Sequence, residues 1–298
     1  MTKTNQELFE KHAEDFAYCE TVIKKYSKSF YAAFSQLPEK KAKSVYAIYA
    51  FCRLADDTVD LAHSEEKLLA LKQQLDAFAL GEIPDEPIWR ALSVVFSVYP
   101  MTLAPFYDMI EGQKQDLVFT QPETFADLED YCYYVAGSVG LMLLPLLSDQ
   151  AEEIQSPAKL LGEAMQLTNI LRDIGEDNQM GRIYLPKEMM RAYGVTEAML
   201  HASKPTKSLI DLWEAVANEA EQKYEASFAM LPLIDPNCRL ALTAAAMIYK
   251  EQLTVIRENH YLMLDRKNYV SQLRKVQLLR KAKKDVEKRK DDSHQSTL

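Results

Sequence analysis

Apolar residues recur with the period of an α-helix in almost every window of this 298-residue chain, and little between those windows would let strands pair. Only 8 glycines are present, and no Asn-Gly, Asp-Gly or Gly-Gly dipeptide, so the strongest short hairpin signals are missing. Helix-period segments fall near 5–26, 39–62, 65–80, 87–99, 102–118, 124–147, 152–177, 206–231, 237–262 and 271–290. They break at Leu37-Pro38, Gln121-Pro122, Leu231-Pro232 and Asp235-Pro236, where proline removes a donor and restricts the residue before it. Connections are short, and no repeat or low-complexity linker interrupts them. The expectation is one all-α domain of about ten helices over 1–290, with DDSHQSTL at 291–298 as a frayed, disordered tail.

Charge and cysteine usage narrow the function classes. A net charge of −9 disfavours a nucleic-acid binder, whose footprint is basic. The sign is unevenly spread: residues 266–290 carry 11 Lys/Arg against 2 Asp/Glu, a local +9. Such a terminal helix is either a solvated face or a hand toward an anion or an anionic membrane. Cys19, Cys52, Cys132 and Cys238 form no C-x-x-C pair, which argues against zinc and disulfide scaffolds and fits a reducing cytoplasm. The polar start, MTKTNQELFEKHAEDF, lacks the apolar core of a secretory signal. Two uncharged runs, 91–107 and 131–148, read as core helices lining something apolar: the first contains Pro100 and Pro105, and the second contains Gly137, Gly140 and Pro145 with acidic flanks at Asp130 and Asp149.

Two polar stripes interrupt this apolar pattern. In SVYAIYAFCRLADDTVD, from Ser44, Tyr49, Arg53, Asp56 and Asp60 share one helical face. Alone, a D-x-x-x-D spacing reads as a solvated acidic face, since like charges four apart do not help a helix. In QLTNILRDIGED, Gln166, Asn169, Asp173 and Asp177 again share one face, opposite Leu167, Ile170, Leu171 and Ile174. Two acidic helices can neutralise each other only through cations between them, and oxygen-only ligation suits Mg²⁺. Arg53 and Arg172, with Ser27, Lys28 and Ser29 of YSKSF, add equipment for gripping a diphosphate as a leaving group. No P-loop and no G-x-G-x-x-G is present, and the scattered histidines suggest no metal cluster. With apolar, aromatic walls, here Phe30, Phe34, Tyr49, Tyr131, Tyr134 and Tyr249, the implied intermediate is a carbocation.

Five markers occur in order: YSKSF at 26–30, AIYAFCRLADDTVD at 47–60, YCYYVAGSVG at 131–140, QLTNILRDIGED at 166–177 and RIYLP at 182–186. Together, over about 18–284, they resemble the squalene and phytoene synthase family, and most closely its bacterial dehydrosqualene (diapophytoene) synthase branch. The resemblance implies an isoprenoid synthase fold around a central apolar cavity. It implies head-to-head condensation of two farnesyl diphosphates, through presqualene diphosphate, to dehydrosqualene for C30 carotenoids. Two or three Mg²⁺ ions are implied and NADPH is not, although NADPH-dependent relatives give squalene.

Residue by residue, the resemblance makes Asp56, Asp60, Asp173 and Asp177, with Asn169, the metal-binding groups. Ser27, Lys28, Ser29, Arg53, Arg172, Tyr249, Arg266 and Arg274 become diphosphate contacts. Tyr131 is the phenol assisting ionisation or proton removal, Gln166 and Tyr49 complete the polar neck, and Tyr184 helps close the site. Without a long apolar C-terminal segment, the enzyme is expected in the cytoplasm, with peripheral contact to the inner membrane face for product release. Rival readings are a terpene cyclase, a phytoene synthase using geranylgeranyl diphosphate, an NADPH-dependent squalene synthase, and a non-enzymatic helical scaffold. Phe30 and Phe34 are candidates for capping the cavity and setting chain length.

Overall fold

The computed structural model describes residues 3–60 and 64–295, with side chains for 5–59 and 64–288. In chain order the helices are α1 (Lys3–Lys11), α2 (Ala13–Tyr26), α3 (Lys28–Phe34), α4 (Glu39–Asp60), α5 (Glu65–Ala79), α6 (Pro87–Val98), α7 (Ala104–Leu117) and α8 (Phe125–Cys132). They continue as α9 (Ser138–Leu147), α10 (Gln155–Gln179), α11 (Lys187–Tyr193), α12 (Glu197–Leu200), α13 (Lys207–Ser227), α14 (Arg239–Glu258) and α15 (Gln272–Gln295). The described residues contain no strand.

The long expected segments are present, and the additional helices are short. The segment 5–26 divides at His12 into α1 and α2, and YSKSF opens α3 with Ser27 as its N-cap, its hydroxyl accepting from Phe30 N. Helices α11 and α12 fall in a stretch where none was expected, because seven and four residues are too few to show a period. Gly194 closes α11 in the left-handed conformation, with φ at 66°. Helix α15 runs on to Gln295, into the stretch expected to fray, and 296–298 lie outside the described residues.

Both uncharged runs became interior helices. Helix α6 buries Trp89, Leu92 and Val95, and Phe106 of α7 packs edge-on against Phe51 of α4. Helices α8 and α9 join through a π turn at Tyr133–Gly137, making one rod from Phe125 to Leu147, apolar and long enough to cross a membrane. Here the rod packs against α7 and α10 instead. It meets α10 in backbone contact: a Cβ at Gly162 would stand 2.2 Å from Ala136 O, and one at Gly140 2.5 Å from Ala158 O. Larger residues would push α10 off the rod, and with it the stripe of polar groups that α10 carries inward.

The core divides into two clusters. One, around Phe51, Trp89 and Phe106, joins α2, α4, α6, α7 and α9; the other, around Trp213, Leu171 and Leu253, joins α10, α13 and α14. Trp213 Nε1 donates to Leu171 O at 3.1 Å, so its buried polar atom is satisfied. All four cysteines are buried and free.

One buried ion pair fastens the N-terminal helices. Asp15 of α2 is 8% exposed and accepts from Arg90 Nε and NH2 of α6 at 3.0 and 2.7 Å, with His12 Nδ1 at 2.9 Å. Burial opposes its charge, but Arg90 and then His12 prevail and hold the carboxyl below the usual carboxylate range. A depressed folded pKa adds stability above the unfolded value and loses it as pH falls through the folded one. Asp15→Asn is therefore expected to cost about 2 kcal/mol at pH 7, read as a lower Tm. The gap to the unsubstituted chain should close below about pH 4; equal gaps at pH 7 and pH 3 would contradict the assignment.

Candidate active site

Helices α3, α4, α9, α10 and α14 surround a cavity of about 900 Å³. Its inner wall is apolar, with Val139, Leu143, Leu147 and Leu161 among the lining residues. The rod explains this wall: residues before the π turn are absent from the lining, whereas Val135 and Ala136 within it and Val139, Gly140 and Leu143 after it line the cavity. Aromatic faces add to it, with Phe30 stacked 5.6 Å from Phe34, 4.8 Å from Tyr249 and 6.2 Å from Tyr49.

The polar lining comes from several separated parts of the chain. Ser27, Lys28 and Ser29 arrive from the start of α3, Tyr49, Arg53 and Asp56 from α4, and Gln166, Asn169 and Arg172 from α10. Helix α14 adds Tyr249 and Gln252. Arg53 rests on the Tyr26 ring at 4.4 Å and is tethered by Asp57, yet its buried Nε has no hydrogen-bond partner. Asn169 shows the complementary case, a buried Oδ1 without a donor, while its Nδ2 donates to Gln166 Oε1 at 3.2 Å. Buried orphans of this kind are costly unless a ligand meets them. One asks for an anion and the other for a cation.

Other residues expected at the site lie beside the cavity, outside its lining. Asp173 is held by Arg172 and by Lys267 Nζ at 3.5 Å. Asp177 lies one turn further, in a small recess with Arg182 and Tyr184. Burial, then the neighbouring Asp173 and Glu176, push its carboxyl up to about 8, with Arg182 opposing. Tyr131 and Tyr184 stack at 5.0 Å and donate their hydroxyls to Asp116, at 2.9 and 2.8 Å. The Asp60 side chain lies outside the described residues.

Two of the expected diphosphate contacts lie outside the cavity lining. Arg266 is 60% exposed, facing Asp265 at 3.8 Å, and Arg274 is engaged by Glu251 and Glu258; neither lines the cavity. Their neighbours Lys267 and Lys275 do. The reason is register: α15 turns Lys275 inward and Arg274 toward the acidic edge of α14. Lys275 is 9% exposed, and burial together with the cation of Lys28 pulls its pKa down. Among the described residues neither Lys28 nor Lys275 has an ion-pair partner, so two ammonium groups converge with no carboxylate between them.

Helix α7 was missed altogether as a source of site residues. Gln113, 4% exposed, donates from Nε2 to Asp56 Oδ1 at 2.6 Å, and Asp116, three residues on, receives both tyrosines. The signal that could have found them was their spacing of three on the face that also carries Met109 and Ile110.

The donors present fit magnesium in kind: all are oxygen, one is an orphaned amide, and Asp177 is short of positive charge. Among the described residues no three acidic, His or Cys side chains already cluster closely enough to hold an ion.

An all-α shell enclosing an apolar cavity with a cation-rich, carboxylate-bearing lining defines an enzyme of the isoprenoid synthase fold. The chain belongs to the squalene/phytoene synthase family, whose model matches residues 23–274. It is similar to the 4,4'-diapophytoene synthase of Staphylococcus haemolyticus (strain JCSC1435), 35% identical over 277 residues, 91% of this chain and 97% of that one. It is similar to the 15-cis-phytoene synthase of Synechococcus elongatus (strain ATCC 33912 / PCC 7942 / FACHB-805), 34% identical over 284 residues, 89% of this chain and 91% of that one. A dehydrosqualene synthase solved in complex with a ligand superimposes with a TM-score of 0.93 at 58% identity, covering 94% of this chain and 99% of that one.

The doubly used Asp116 yields a direct check. Asparagine in its place presents one oxygen and one NH₂, and the latter cannot accept from a phenol. Asp116→Asn is expected to cost about 1–3 kcal/mol in denaturant unfolding, since a buried hydroxyl is left unsatisfied. An unchanged midpoint would show that the tyrosine pair does not depend on it.

Proposed function

We propose that this enzyme joins two farnesyl diphosphates head to head, through presqualene diphosphate, to give dehydrosqualene in C30 carotenoid synthesis. The observation that carries the reading is the pairing of unmet charge with apolar volume. Lys28, Lys275 and the Arg53 Nε, all without partners among the described residues, line the same cavity as the aliphatic Val139, Leu143, Leu147 and Leu161 and the aromatic Phe30 and Phe34. A prenyl diphosphate has that polarity along its length. About 900 Å³ lies at the top of the range of roughly 300–1,000 Å³ for small-molecule sites, which favours two chains over one. The similarity to diapophytoene and dehydrosqualene synthases supports farnesyl over geranylgeranyl substrates.

In this reading Lys28, Arg53, Arg172 and Lys275 bind the diphosphates, and Ser27 and Ser29 orient them by hydrogen bonds. Phe30, Tyr49 and Tyr249 present ring faces to the allylic cation, and the aliphatic wall excludes water that would quench it. Asp56, Asp60, Asn169, Asp173 and Asp177 would hold magnesium, which when bound supplies neutralisation of the departing diphosphate. Gln113 fixes Asp56 in orientation. Tyr131, its hydroxyl already committed to Asp116, acts as part of the scaffold beside the cavity, and its own acidity is suppressed by burial and by Asp116.

The decisive assay incubates purified protein with the C15 or the C20 diphosphate and Mg²⁺, with and without NADPH, and extracts the hydrocarbons. Dehydrosqualene from C15, unchanged by NADPH, is the expected result; phytoene from C20 or a switch to squalene would redirect the assignment. Asp56→Asn and Asp173→Asn should each lower turnover by roughly a hundredfold or more while the melting transition persists. Near-normal turnover in both would reject the proposed metal-binding roles.

A C30 hydrocarbon must leave into lipid. Tyr269, Leu273 and Val276, 69%, 71% and 47% exposed, adjoin the lining residues Val270 and Lys275 within the basic 266–290 segment. This supports peripheral contact with the anionic inner face of the cytoplasmic membrane. Salt-sensitive co-sedimentation with phosphatidylglycerol vesicles, and none with neutral phosphatidylcholine, is expected; equal recovery in both would remove the electrostatic argument.

A further inference from the structure

The connection between α14 and α15 is a strap fixed against α10. It leaves α14 through His260 and Tyr261, both left-handed with φ of 55° and 56°, a conformation that side-chain-bearing residues keep only where their surroundings impose it. Buried Asn268 closes the loop, donating to Leu262 O at 3.1 Å and accepting from Asn259 Nδ2 at 2.8 Å. Midway, Met263 O accepts from the backbone N–H of Gly175 at 3.2 Å. A Cβ at Gly175 would stand 2.1 Å from Leu264 O, so strap and helix touch backbone to backbone. That contact delivers Lys267 over the turn of α10 bearing Asp173 and Glu176.

Lys267 Nζ stands 2.6 Å from Glu176 Oε2 and 3.5 Å from Asp173 Oδ1, and the same residue lines the cavity. Arg172 grips Asp173 as well, its Nε donating to Oδ1 at 2.8 Å and its NH2 to Oδ2. Both oxygens of this carboxylate therefore face cations of the chain itself. A carboxylate so engaged is a weak ligand for a free divalent ion until something draws its partners away. A diphosphate in the cavity meets both Arg172 and Lys267 and carries enough charge to do so.

We infer that Lys267, paired with Glu176 and shared with Asp173, is with Arg172 one of the two resident counter-cations of Asp173, and that an incoming diphosphate, by taking its ammonium group, frees Asp173 for divalent metal, so that metal and diphosphate bind cooperatively. The inference rests on the reading of Asp173 as a metal-binding group. Charge balances in the exchange: Lys267 and Arg172 turn from Glu176 and Asp173 toward the diphosphate, and the positive charge they withdraw from those carboxylates is replaced by that of the metal, which stays paired with the diphosphate. By linkage, the metal raises diphosphate affinity by the same factor as diphosphate raises that of the metal.

The test titrates Mn²⁺ alone into the purified chain, following free ion by electron paramagnetic resonance, and compares Lys267→Met with Arg266→Met. Both variants remove one positive charge, but Arg266 faces Asp265 and not Asp173. Lys267→Met is expected to bind Mn²⁺ alone roughly fivefold more tightly than the unsubstituted chain, and Arg266→Met to stay close to it. In melting assays, Mn²⁺ with inorganic diphosphate should stabilise the unsubstituted chain beyond the sum of the two separate effects, and this surplus should shrink in Lys267→Met. Equal Mn²⁺ affinity in Lys267→Met and the unsubstituted chain, or equal gains in both variants, overturns the inference while leaving the proposed function standing. No stabilisation of the unsubstituted chain by Mn²⁺ with diphosphate overturns both.

Discussion

The stripe of amides and charges on the inner edge of the 25-residue helix α10 is the constraint to which the rest of the fold is fitted. Gln166, Asn169, Arg172, Asp173 and Asp177 would be ruinous in an apolar interior, since each unpaired polar group forfeits its hydration. The structure meets the demand from several directions. Lys267 reaches Asp173 from the strap, Gln252 of α14 accepts from Arg172 at 2.8 Å, and Arg182 opposes the raised pKa of Asp177. What the protein leaves unmet, at Asn169 Oδ1 and across the cavity at Arg53 Nε, marks where a ligand has work to do.

The helices and the stripes were legible in the sequence because they depend on period, which one chain displays without reference to any other. Ten of the expected site residues line one cavity, and six of them, Tyr49, Arg53, Asp56, Gln166, Asn169 and Arg172, lie on the two helices read from period; Ser27, Lys28 and Ser29 came from the residue types of YSKSF and Tyr249 from the family resemblance. What depends on how separate elements meet was not legible. Nothing local distinguishes Arg274 from Lys275; only the docking of α15 on α14 turns the lysine inward and gives the arginine to Glu251 and Glu258. Likewise Gln113 and Asp116 look like ordinary helix polarity until α7 is seen to lie against α4 and the rod. Helices α11 and α12 escaped for a simpler reason, being shorter than the window in which a period shows.

Two glycines translate sequence into site geometry more directly than the charged residues do. At Gly162 the rod and α10 approach until a side chain would collide with Ala136 O, and this fixes how deeply the stripe sits behind the apolar wall. At Gly175 the strap approaches the same helix from another side, which fixes where Lys267 hangs. Backbone contact leaves no flexible side chain to absorb error. The polar groups between these contacts therefore inherit their positions from main chain, the most rigid material available.

The cations of the cavity fall into two kinds by how they are held, and the difference says how the site is prepared. Arg53, Arg172 and Lys267 are each tethered by a carboxylate, Asp57, Asp173 and Glu176 among them, so they stay oriented before any ligand arrives. Lys28 and Lys275 have no such partner among the described residues and repel each other, which lowers the proton affinity of Lys275 beyond what burial does alone. Tethered groups set direction at little entropic cost on binding, whereas the untethered pair stores unfavourable charge that an anion relieves. A site built only of the first kind would be pre-satisfied and bind weakly; one built only of the second would be costly to fold.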